Sequence, residues 1–130
     1  MYASVRMWLA LAALNGLMAV GAGAFGAHAV ADPQAKEWLR TGAQYQLAHA
    51  VAALCCYGLL RAAVGPASWA AWLFGVGALV FSGSLYLMAM TGVRALGAIT
   101  PIGGVLLLVG WAALIWGALA GLTTAGPPQT

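Results

Sequence analysis

Gly97-Ala-Ile-Thr-Pro-Ile-Gly-Gly104 opens an apolar run that continues to about Leu122. Thr100 reads as an N-cap and Pro101 as the first helical residue, where a fixed φ and a missing N–H both suit the position. From residue 101 to 122, a helix rising about 1.5 Å per residue crosses a hydrocarbon layer of about 30 Å. The stretch therefore predicts a helix that begins abruptly at a membrane surface. Open N–H groups would stand at its positive end, with Gly103 and Gly104 leaving room for close approach.

The rest of the chain agrees with a membrane setting. Of its 130 residues 64% are hydrophobic and only 5% charged, and the mean hydropathy is +0.94. A water-soluble domain carries roughly 25% charged residues, so this chain cannot cover a wet surface. The net charge of +3 comes from only five Lys or Arg, too sparse for a nucleic-acid footprint. Cys55 and Cys56 are neighbours inside an apolar run and read as space-filling thiols rather than a disulfide.

Working outward, residues 1–130 divide into one membrane domain with spans at about 7–30, 43–61, 69–90 and 101–122. The expected fold is all-α and integral to the membrane: four transmembrane helices in an up-down bundle, with a short interfacial helix between helices 1 and 2. Ala27-His28-Ala29 resembles a signal-peptide cleavage site, but the preceding apolar run is longer than a usual signal core. Asp32-Pro33 repeats the cap-plus-proline signal and opens the segment that Gly42 is expected to end. That segment holds Lys36, Glu37, Trp38 and Arg40, a pattern that suits either a helix lying among headgroups or a solvated loop. Gly65-Pro66 turns the chain between spans two and three, and Gly126-Pro127-Pro128 reads as a frayed tail. Four spans put both termini on one side. The connections holding Lys36, Arg40 and Arg94 face Arg6 and Arg61 across the membrane, a slight lean to cytoplasmic connections.

Small residues recur at helical spacing on each span: Ala12, Gly16, Ala19, Gly23 and Gly26 on the first, Ala52 and Ala53 on the second, Ala71, Gly75, Ala78 and Ser82 on the third, Gly103, Gly110 and Gly117 on the fourth. Such stripes let membrane helices approach closely. The polar residues share a depth. His28, Tyr45, His49, Ser82, Ser84, Tyr86 and Thr100 all map to one end of an up-down bundle, with Gln44 and Gln46, while Asn15 lies deeper. Polar groups at membrane depth mark either a site or interhelical hydrogen bonding, and both readings stand at this point. His28, Tyr45, His49, Ser82, Ser84, Tyr86 and Thr100, with Arg94, Gly103 and Gly104, make the candidate ligand-binding set. A lipid phosphate or carboxylate at the start of helix four is one occupant, and internal bonding by Ser84 or Tyr86 is the alternative.

Gly23-Ala-Phe-Gly-Ala-His28, Gln44-Tyr-Gln-Leu-Ala-His49, Phe81-Ser-Gly-Ser-Leu-Tyr86, and Gly97 to Gly104 followed by Gly110-Trp111 resemble the YgdD/YwdK-type membrane family. This is the domain of unknown function numbered 423, with small mitochondrial transmembrane relatives. The resemblance implies a four-span protein of the bacterial cytoplasmic (inner) membrane and transfers no catalytic residues.

No span contains a carboxylate, and no Ser/His/Asp set or metal-ligand spacing is present, so enzyme chemistry finds no support. His49 and Cys56 share a face two turns, roughly 10 Å, apart, too far for one metal. A haem between two histidines is conceivable in a bundle, but neutral hydrogen-bonded histidines are the commoner arrangement. The expectation is a multi-pass protein without metal or cofactor. It binds a lipid, a small amphiphile or a partner membrane protein, a second copy included, at the polar end. An oligomeric transporter or channel is the alternative.

Overall fold

The computed structural model describes residues 2–124, with side chains described for 3–122. The tail Gly126-Pro127-Pro128 lies outside them. Among the described residues the chain forms four α-helices: α1 (Tyr2–His28), α2 (Pro33–Arg61), α3 (Ala67–Thr91) and α4 (Thr100–Thr124). A short 3₁₀ helix, Arg94–Ala98, leads into α4.

The expected interfacial helix is not a separate element. Asp32 caps α2 as the sequence indicates, its carboxylate accepting the Ala35 N–H at 2.8 Å with Pro33 next to it. The helix then runs unbroken for 29 residues, straight through Gly42. Gly42 is buried, and a Cβ there would lie 2.6 Å from Cε1 of Tyr86. The glycine serves a close approach of α3 rather than a helix stop, so the charged segment forms the opening turns of α2.

The start of α4 is also less abrupt than its sequence suggests. Ile99 O accepts from the N–H groups of Ile102 (3.0 Å) and Gly103 (3.5 Å), two donors expected to be open. Thr100 is the first residue of α4, and its hydroxyl turns to Ser84 instead of capping. At the other end of the connection, α3 closes on Gly92. Its φ of +71° is left-handed, and its N–H reaches Met88 O at 2.8 Å.

Three stretches are long and apolar enough to cross a membrane: Ala3–His28, Ala67–Thr91 and Arg94–Leu122. By composition α2 is not among them, because its charged first turns and Gln44, Tyr45, Gln46 and His49 lower its hydropathy. Neighbours run antiparallel: α2 packs between α1 and α3, and α4 lies along α3.

The seams between helices are built from glycine and alanine. On the α1–α2 seam, a Cβ on Gly16 would meet Ala50 at 4.0 Å and one on Gly23 would meet Ala43 at 3.7 Å. The α3–α4 seam uses Gly77, Gly103 and Gly110, and Gly117 meets Val64 and Pro66 of the turn before α3, so the seven-residue glycine spacing of α4 does mark its contact face. Lipid tails are as apolar as Leu, so such seams hold by contact density and hydrogen bonds rather than by apolar burial. Trp8 and Phe74 are the bulky members of a core otherwise dominated by alanine, including Ala12, Ala53, Ala67, Ala70 and Ala71.

Candidate functional site

Two polar groupings stand at and below the end of the array where α1 and α3 finish and α2 and α4 begin. The deeper one is a directed chain that leaves α3 and returns to it. Tyr86 Oη donates to Gln46 Oε1 at 2.7 Å, and Gln46 Nε2 donates to Asn15 Oδ1 at 2.9 Å. Asn15 Nδ2 then donates to Gly75 O at 3.2 Å and to Leu11 O at 3.0 Å. Gln46 and Asn15 are fully buried, so each polar atom depends on these partners. Beside this chain, Ser82 Oγ donates to Gly42 O at 2.7 Å.

The second grouping joins α2 to α4. His49 Nδ1 lies 2.7 Å from Tyr45 O, and Trp111 Nε1 donates to His49 Nε2 at 3.1 Å. A carbonyl only accepts and an indole N–H only donates, so both bonds form together in the neutral imidazole with its proton on Nδ1. Both ring nitrogens are thereby engaged in hydrogen bonds. Phe74 lies 4.9 Å from the Trp111 ring and 5.5 Å from His49, and Phe81 lies 4.7 Å from Tyr45, centroid to centroid. Above these rings a groove of about 440 Å³ opens between α2 and α4. Tyr45 and His49 form one wall, Phe81 part of the floor, and Gly104, Leu108 and Trp111 the other wall.

The predicted set divides accordingly. Tyr45, His49 and Gly104 line this groove, whereas Ser82 and Tyr86 belong to the internal bonding. Ser84 Oγ and Thr100 Oγ1 are 2.6 Å apart and tie α3 to α4. His28 is exposed as the last residue of α1, and Arg94 is exposed on the 3₁₀ helix. Gly103 is not an opening for a ligand. A Cβ there would fall 2.3 Å from Phe81 N, so the backbone of α3 already fills that space. Trp111 is not in the set read from the sequence, although the Gly110-Trp111 pair belongs to the family motifs. An indole on a helix apolar all round shows no facing direction in sequence.

Residues 22–104 match the model of a family described as "Protein of unknown function (DUF423)". The chain belongs to the DUF423 family. This DUF423 protein is 44% identical over 115 residues to a "UPF0382 membrane protein" of Staphylococcus epidermidis, covering 85% of this chain and 93% of the relative. It is 38% identical over 117 residues to the UPF0382 membrane protein YwdK of Bacillus subtilis (85% and 94%), and 39% identical over 115 residues to a Haemophilus influenzae relative (85% and 91%). No solved structure matches the chain. With relatives named as membrane proteins and three helices long and apolar enough to cross, the DUF423 chain is a membrane protein. The matched segment carries Tyr45, Gln46, His49, Tyr86 and Gly104, while Asn15 and Trp111 lie outside it.

Proposed function

We propose that this is a four-span, non-enzymatic protein of the bacterial cytoplasmic membrane that holds a lipid or other amphiphile in the groove between α2 and α4. The observation that carries the reading is Gly104. It lines the groove, and a Cβ there would meet only the Phe81 ring, at 3.8 Å. A larger side chain would fit there, yet the wall is left low over a floor of aromatic rings. The polar atoms beneath are already paired, so the groove offers apolar and aromatic surface to an alkyl chain.

The test uses a phospholipid with a diazirine in its acyl chain, in nanodiscs. The wild type should cross-link to the α4 segment around Leu108 and Trp111. Gly104→Leu fills the groove and should remove that cross-link without lowering thermal stability. Cross-links spread evenly over the lipid-facing helices, or unchanged by Gly104→Leu, would sink the reading.

The fourth span is α2. Its hydropathy is low because Gln46 and His49 face inward and are paired, and it is flanked by α1 and α3. Single cysteines replacing Lys36, Arg61 and Arg94, in a chain lacking Cys55 and Cys56, test this. Lys36 and Arg94 positions should label from one face of intact vesicles and Arg61 from the other. Lys36 and Arg61 labelling from the same face would mean that α2 does not cross.

A further inference from the structure

On the far side of α2, a second groove of about 540 Å³ lies between α1 and the opening turns of α2. Its apolar surface is low: Gly23, Gly26 and Ala27 come from α1, and Ala43 from α2. Its charged part is lined by Glu37 and by two cations, Lys36 and Arg40. The two cations are four residues apart on α2, hence about 6 Å apart along the helix axis and on the same face.

The acidic residues do little to cancel these two cations. Asp32 is turned into its own helix end, where its carboxylate accepts the Ala35 N–H. Glu37 reaches Arg40 only at 4.0 Å, with both side chains largely exposed, a kind of pair that contributes little and leaves guanidinium donors available. The groove thus combines a net positive mouth with an apolar bed at the end of α1, in a protein that lives in lipid.

We propose that this groove is a binding site for one anionic phospholipid, with its phosphate between Lys36 and Arg40 and an acyl chain over Gly23, Gly26, Ala27 and Ala43. Charge complementarity selects the headgroup, since an Arg fork and an ammonium one turn apart suit a phosphodiester and gain nothing from a zwitterion's trimethylammonium. The bed selects a chain-bearing ligand over free phosphate. This site shares no lining residue with the α2–α4 groove and does not rest on its occupancy.

The experiment reconstitutes the full chain in nanodiscs of phosphatidylcholine containing a minor fraction of phosphatidylglycerol. Native mass spectrometry then counts the lipid retained after gentle release. The wild type should retain one phosphatidylglycerol in preference to phosphatidylcholine. Lys36→Gln with Arg40→Gln should weaken that retention roughly tenfold or more, from two interfacial cations lost. Ala27→Leu fills the bed without changing charge and should also lose the lipid. Glu37→Gln should strengthen retention. Arg61→Gln should retain as the wild type does, and Gly104→Leu, whatever it loses from the α2–α4 groove, should keep the preference for phosphatidylglycerol, which separates this site from net charge and from the other groove. Retention surviving Ala27→Leu would overturn the groove in favour of diffuse attraction to the surface. Equal retention of both lipids by the wild type, or displacement by millimolar inorganic phosphate alone, would overturn the proposal as well.

Discussion

Gly103→Ala should destabilise the protein by about 3 kcal/mol or more, the upper end of what overpacking usually costs. The added methyl would lie 2.3 Å from Phe81 N, 2.7 Å from Phe81 Cα and 2.8 Å from Gly77 O. All three are backbone atoms of α3, so no side-chain rotation relieves the clash. The helix axes must separate, and with them go the fit of Gly110 against Phe74 and the Ser84–Thr100 bond. Gly104→Ala is the control one residue away. Its methyl meets only the Phe81 ring at 3.8 Å and 3.9 Å, and the helix gains up to about 1 kcal/mol in propensity. Denaturant titration in detergent should rank Gly103→Ala far below both Gly104→Ala and the wild type. Equal stabilities for the two variants would mean that α3 and α4 do not meet this closely.

The second large effect belongs to Gln46. Gln46→Leu keeps much of the volume but strips the partner from Asn15 Oδ1 and from the Tyr86 hydroxyl together. Interhelical hydrogen bonds in membranes average only about 0.6 kcal/mol, because the dispersed helices find other partners. A buried amide oxygen and a half-buried hydroxyl left without partners cost more than one lost bond, so about 2 kcal/mol is expected. Tyr86→Phe removes a single donor from one end and should cost under about 1 kcal/mol. Adding Asn15→Leu to Gln46→Leu should cost less than the sum of the two single changes, since an oxygen no longer sits unpaired. A double-mutant cycle on thermal or denaturant unfolding measures this directly. Strict additivity would show that the two amides act independently.

What was legible in the sequence follows from how strongly each residue is constrained locally. The Asp32-Pro33 start of α2 and the glycine spacing on α4 depend on chain geometry alone, and both appear as read. Gly42 misled because a glycine that ends a helix and one that admits a neighbouring ring look alike until the neighbour is placed. Thr100-Pro101 misled because Thr100 is itself the first residue of α4, with its hydroxyl bonded to Ser84, sixteen residues earlier. Depth arguments grouped the polar side chains at one end but left Asn15 as an exception. Its partner, Gln46, reaches it from α2, and only the packing of α1 on α2 brings the two amides together. The His49–Trp111 bond spans 62 residues between helices whose apolar surfaces show no direction, so nothing local pointed to it.

Taken in time rather than in space, the Tyr86–Gln46–Asn15 chain sets an order for biogenesis. When α1 is complete, its Asn15 amide has no interhelical partner, since Gln46 is made 31 residues later and Gly75 later still. Once synthesis has passed Thr91, every partner of that chain exists, and all of them lie on α1, α2 and α3. The last helix is made after every partner in that chain exists. It adds a glycine seam, the Ser84–Thr100 bond and one indole N–H, and it completes no amide left waiting by the others.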